Sequence, residues 1–223
     1  MYWTDEGYLL SKSNFDENSI IIEAFTLKHG KYSGIVYGGS SKKQKRNFQA
    51  GNKILLHWKS KGENKSGYFN IELIKPISPF FFDDKKRSVC ILAATSILKI
   101  LLPERQVNEK IYESFENMLN ELNTKNWIKL YIQWEISLIK ELGYEVNFLD
   151  NNTSQDFKNK SIEINGKNFK IPKMLMSNNF EARYKSDIKD ALSFNRNLLI
   201  ENFILPNRLK FPLFRNLLEK YYN

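Results

Sequence analysis

The chain has 223 residues, 42% of them hydrophobic and 14% aromatic, with a formal net charge of +9. That apolar content excludes intrinsic disorder and suffices for one large domain or two small ones. Its single cysteine, Cys90, excludes an intramolecular disulfide and points to a reducing compartment. The start, Met1 to Glu6, lacks a secretory pattern, and the apolar run Val89 to Leu102 is interrupted and too short to span a bilayer. A cytoplasmic protein is expected.

Residues 1 to about 78 read as β-structure. Tyr8-Leu9-Leu10 begins it. In Ser19 to Thr26, Ile20, Ile22 and Ala24 fall on one face and Ile21 and Phe25 on the other, the pattern of a strand covered on both sides. Tyr32 to Gly38 follows the turn Lys28-His-Gly-Lys31. A strand from Asn52 to Lys61 puts Ile54, Leu56 and Trp58 opposite Leu55, His57 and Lys59. Tyr68 to Ile74 alternates, with Phe69, Ile71 and Leu73 inside. Five strands with short links predict a small closed barrel, and the OB-type barrel is the common nucleic-acid-binding solution.

Pro76, Ser78 and Pro79 mark a boundary, after which the period turns helical. Asp84 or Ser88 is expected to cap a helix that runs to Leu102 and stops at Pro103. Ile111, Phe115, Met118, Leu119 and Leu122 make one apolar stripe of a second helix. Asn126 is the expected cap of a third, apolar on two faces and so central to its bundle, with Gly143 ending it. Residues 150–173 are polar and broken, with a hairpin at Ile162 to Phe169. Two further helices are expected, about Ser186 to Ile204 and Pro212 to Tyr222.

Charge is segregated. Thr26 to Lys65 holds ten lysines and arginines against one acid, Glu63, and so carries the whole net charge, while the rest of the chain sums to zero. A field this localised suits a polyanion partner. Lys42, Lys43, Lys45 and Arg46 lie between strands, with Tyr32, Tyr37, Phe48 and Trp58 near in sequence. Cations interleaved with aromatic rings suit single-stranded nucleic acid. An aromatic in a strand is more often core than platform, so both readings stand for these four.

Catalytic patterns are weak. One cysteine and two separate histidines, His29 and His57, do not make a zinc site, and no metal is expected. Gly34 and Gly39 have phosphate-loop spacing, but Ser40 stands where the lysine belongs. The acid pairs Asp5-Glu6, Asp16-Glu17 and Asp83-Asp84 sit at element ends, where turns and caps account for them. Glu135 lies on the most apolar helix, where a packing salt bridge is the favoured reading over catalysis.

Five segments carry a family resemblance: Gly7-Tyr-Leu-Leu10, Ile22 to Gly30, Tyr37 to Lys43, Leu102 to Arg105, and Tyr131 to Tyr144. Together they make the chain resemble the RecO family of DNA repair and recombination mediators. Many relatives carry a four-cysteine zinc module after the position of Asp150; here no cysteine follows, so 150–173 reads as a zinc-less remnant. The resemblance implies an α+β protein, with an OB-type five-stranded β-barrel over 1–78 and a mostly helical domain over 79–223. It implies no enzymatic turnover and no cofactor.

The implied partners are single- and double-stranded DNA, RecR, the acidic tail of single-strand-binding protein and, indirectly, RecA, in a nucleoid-associated cytoplasmic setting. The expected DNA contacts are Lys42, Lys43, Lys45 and Arg46, flanked by Lys28, Lys31, Lys53, Lys59 and Lys61, with Tyr32, Tyr37 and Trp58 as stacking rings. For the acidic tail the expected residues are Lys129, Trp134, Lys210 and Arg215; where some relatives have an arginine just before the aromatic-Glu pair, this chain has Gln133. The rival readings are an RNA-binding OB protein of translation or ribosome assembly and, more distantly, a metal-dependent nuclease using Asp83.

Overall fold

The computed structural model describes residues 1–40, 48–60, 62, 67–144, 161–176 and 185–222. The chain divides into two compact units, Met1–Glu113 and Ser114–Asn223. The first holds five strands: β1 (Tyr2–Asn14), β2 (Ser19–Thr26), β3 (Gly30–Tyr37), β4 (Lys53–Lys59) and β5 (Tyr68–Lys75). They close a barrel in the order β1-β2-β3-β5-β4. All neighbours are antiparallel except β3 and β5, which meet in parallel at Ile35 and Tyr68.

The alternation read in the sequence is the cause of this closure. Ile20, Ile22, Ala24, Ile54, Leu56, Trp58 and Phe69 all point inward and form the core with Leu9, Val36 and Phe48. β2 is covered on both sides as expected: its outward Phe25 is buried, with its ring 5.5 Å from that of Tyr112. Gly34 lies inside β3, and a Cβ there would come within 2.5 Å of the Trp58 ring and 2.8 Å of Phe69. That glycine is a packing requirement of the barrel and has no phosphate-loop role.

β1 is much longer than the expected start at Tyr8. Its first residues alternate Tyr2, Thr4 and Glu6 outward with Trp3, Asp5 and Gly7 inward, and the acid at position 5 hides that pattern. The Asp5 carboxylate is buried and accepts from the N–H groups of Glu6 (2.9 Å) and Lys28 (2.8 Å) and from His29 Nδ1 (2.9 Å). His29, a turn residue as expected, stacks on Trp3 with ring centroids 4.1 Å apart. Asp16 closes the β1–β2 turn by accepting from the N–H groups of Asn18 and Ser19.

After a short 3-10 turn at Ser78–Phe81 comes α1 (Lys85–Leu101), capped by the Asp84 side chain on the Arg87 N–H. α1 packs on β1, and its Lys99 reaches Glu23 (2.7 Å) and Ser11 (3.0 Å). α2 (Glu109–Asn120) buries the predicted stripe Ile111, Phe115, Met118 and Leu119. The boundary between the compact units falls within this helix.

In the second unit, α3 (Trp127–Glu141) buries both of its predicted faces, including Trp127, Tyr131, Trp134 and Leu138 on one and Ile128, Ile132 and Ile139 on the other. Asn126 stands at its N-cap, but its side chain makes no capping bond; its carbonyl accepts from Lys129 and Leu130 instead. Gly143 ends the helix at φ +99°, a conformation that favours glycine. The expected hairpin is present as β6 (Ser161–Ile164) and β7 (Lys167–Lys170). α4 (Lys173–Met176) is a single turn that the sequence did not announce. α5 (Lys185–Leu199) runs on as a π-helical turn to Ile204, and α6 (Leu213–Lys220) follows. Among the described residues, no helix is long and apolar enough to cross a membrane.

Candidate nucleic-acid interface

Lys42, Lys43, Lys45, Arg46 and Lys61 lie outside the described residues. Of the other expected contacts, Lys59 and Tyr37 are exposed on the barrel, and Lys28 is exposed in the β2–β3 turn. Lys53 is half-buried, 3.0 Å from Glu6.

Three placements differ from the expectation. Lys31 is buried, and its ammonium donates to the Lys99 carbonyl at 2.7 Å, tying β3 to the end of α1. Burial pushes its pKa below the ordinary lysine value, with Glu23 and Glu104 acting the other way. It is therefore a structural tie. Trp58 is only 4% exposed because its ring fills the barrel between Gly34 and Gly67. Tyr32 faces inward too, 5.4 Å from Trp58 and 5.1 Å from Trp3. It borders a cleft of about 480 Å³ shared with Phe15, Ile21 and Arg105, whose guanidinium lies 5.3 Å from the Tyr32 ring.

The sequence reading missed the pattern on the outer surface. Tyr2 of β1 pairs with Lys59 of β4, and Lys59 pairs with Tyr68 of β5, so all three project from one face of the sheet. Tyr37, at the end of β3, comes next, with its ring 6.0 Å from that of Tyr68. Tyr2 is 68% exposed and Tyr37 66%. The Tyr2 hydroxyl is hydrogen-bonded to Thr4 Oγ1 (3.1 Å), which in turn meets His57 Nδ1 at 2.9 Å, so the first ring of the row is held in place. Lys59 has no carboxylate partner among the described residues. Extending the alternation of β1 back to Tyr2 would have turned that one ring outward, and the polar residues at 4 to 6 hid it; the rest of the row is set by pairing between strands.

In the second unit, Lys210 is exposed and Lys129 half-buried, whereas Trp134 and Arg215 are buried. Arg215 donates to both Glu135 oxygens, to Glu219 (3.3 Å) and to the Leu192 carbonyl (2.7 Å). Glu135 also accepts from Tyr131 (2.7 Å) and Asn195 (3.1 Å). Burial disfavours the charge on Arg215, and the Glu135 carboxylate outweighs it, raising the guanidinium above its ordinary value. Glu135 is the packing salt bridge expected on this helix. Arg215 is its partner and does not stand on an open rim.

The closed barrel, in this strand order and followed by helices, defines an OB-type domain joined to a helical region. The family model for the N-terminal domain of recombination protein O matches residues 1–78, and that for its C-terminal domain matches 83–193. The chain belongs to the RecO family. It is 33% identical to the DNA repair protein RecO of Roseobacter denitrificans over 145 residues, and 33% identical to that of Hyphomonas neptunium over 147. Each match covers 65% of this chain and spans about 60% of the relative's length. A RecO from Wolbachia sp. subsp. Drosophila simulans is 26% identical across 98% of this chain and 99% of its own.

Proposed function

We propose that the protein is a DNA repair and recombination mediator that works by binding rather than by catalytic turnover. In this reading it holds single- and double-stranded DNA on the barrel and anneals complementary strands. With RecR it helps load RecA onto DNA coated by single-strand-binding protein. The observation that carries the reading is family membership over both halves of the chain, joined to a net charge gathered entirely within 26–65.

The physics is simple. Two strands repel through their phosphates, and cations bound to one lower the cost of bringing up the other, with no nucleotide hydrolysis needed. Residues 1–78 form the DNA-binding module and 79–223 the helical one. Lys59, Lys28 and Lys53 join Lys42, Lys43, Lys45, Arg46 and Lys61 as proposed contacts, and buried Lys31 is left out. Nearly all are lysines, which suits sequence-blind phosphate contact. For the acidic tail of single-strand-binding protein, Lys210 is the proposed cation, near the exposed apolar Leu213 and Leu217 in sequence.

The test is a titration with fluorescent single-stranded DNA at several salt concentrations. With about five phosphates neutralised, log affinity falls against log salt with a slope near −3.5. Replacing Lys42, Lys43, Lys45 and Arg46 by glutamate abolishes annealing while the fold survives; annealing at the wild-type rate defeats the assignment of that segment. A strong preference for unlabelled RNA in competition would favour the RNA-binding reading instead.

A further inference from the structure

We infer that the outer face of the barrel carries a stacking track for unpaired DNA bases, formed by Tyr2, Tyr68 and Tyr37 with Lys59 set among them. This rests on the DNA-binding reading above and moves base recognition from the inward Tyr32 and Trp58 to an outward row that keeps only Tyr37 of the expected stacking rings.

The geometry supports this in three ways. The four residues occupy neighbouring strands in one continuous row, Tyr2 on β1, Lys59 on β4, Tyr68 on β5 and Tyr37 ending β3. Two of the rings are about two-thirds exposed, although a tyrosine without a ligand gains more by burying its ring. The spacing is also informative. Tyr68 and Tyr37 stand 6.0 Å apart, well beyond the roughly 3.4 Å rise of a stacked strand. Tyr2 and Tyr68 are two strand spacings apart, about 10 Å. Bases taken up here must be splayed apart, which a single strand permits and a duplex does not.

Charge decides between occupants. An exposed aromatic row could equally dock an apolar protein surface, but this one has a lysine at its centre without a carboxylate partner among the described residues. The row is also the root of the basic segments: Tyr37 leads into Lys42 to Arg46, and Lys61 and Lys65 lie between Lys59 and Tyr68 in sequence. Phosphates on cations and bases on rings is the division of labour seen in single-strand binders.

The experiment measures the affinity of the full chain for an oligothymidylate, for an abasic oligonucleotide of equal length and for a duplex. The variants are Tyr2→Ala with Tyr37→Ala, and separately Tyr37→Phe. Both alanine sites are exposed, and far-UV circular dichroism checks that the fold is retained. The wild type is expected to prefer the thymidylate to the abasic strand by about ten-fold or more, stacking being worth roughly five-fold or more per base. The double variant loses that preference, keeps its duplex affinity within about two-fold, and Tyr37→Phe behaves as wild type. Wild-type binding to all three with an unchanged preference in the double variant overturns the track and leaves the cationic reading standing. Failure of the wild type to bind any DNA overturns that reading as well.

Discussion

Asp5 in the first compact unit and Glu135 in the second are buried carboxylates stabilised in contrasting ways. Asp5, in the barrel, is answered close to home: two backbone N–H groups and the His29 imidazole, all presented by its own strand and the β2–β3 turn. Glu135, on α3, has one donor on its own helix, Tyr131, and is otherwise answered from afar, by Asn195 on α5 and by the fully buried Arg215 on α6, 80 residues along the chain. The first arrangement needs only a correctly formed turn. The second exists only once α3, α5 and α6 have packed, so it ties the last helix of the chain to the rest of its unit.

That contrast sets an order of mutational effects. Arg215→Met takes the cation from the buried Glu135 carboxylate and leaves it only Tyr131 and Asn195 as donors, and is expected to cost about 3–5 kcal/mol, measured by urea unfolding. Adding Glu135→Leu should recover much of that loss, since a well-packed apolar pair of similar volume can match a buried ion pair. A double variant no more stable than the single would show that the network matters for more than charge pairing. Asp5→Ala is expected to be milder, about 1–3 kcal/mol, the cost of leaving buried donors unsatisfied, read as a lowered Tm.

The smallest of the series is Asp84→Ala at the start of α1, about 1 kcal/mol for a lost cap. Partial burial raises the Asp84 pKa, but the Arg87 N–H and guanidinium outweigh it, so its carboxyl titrates below the ordinary aspartate value. The stabilising contribution is therefore complete above the ordinary value and lost as pH falls through the lowered one. Wild type and Asp84→Ala should converge in stability at acid pH, whereas the Arg215→Met deficit should persist at neutral pH and above.

The barrel was legible in the sequence wherever one face was purely apolar. Ile54, Leu56 and Trp58 alternate cleanly, and so do Phe69, Ile71 and Leu73; those strands came out as expected. The start of β1 was not legible, because Asp5 sits inward where an apolar residue would have kept the rhythm. The same difficulty affects the site. Lys31 looks like any other surface lysine until the Lys99 carbonyl appears beside its ammonium, and Arg215 looks like a rim cation until α6 turns it onto Glu135. Both are long-range pairings, which periodicity does not encode. The tyrosine row failed for a related reason: its three rings come from three strands and Lys59 from a fourth, and only the register between strands brings them side by side.

The barrel closes between β3 and β5 through the meeting of Ile35 with Tyr68 and the bond from the Ile35 N–H to the Gly67 carbonyl. Every other pair of neighbours is zipped along seven or eight residues. The cylinder thus has a seam, and amide exchange at Ile35 should report its breathing well before the remaining strands let go. Because Tyr68 and Tyr37 stand on either side of that seam, a polymer lying across both rings would act as a suture, slowing the exchange without touching the interior.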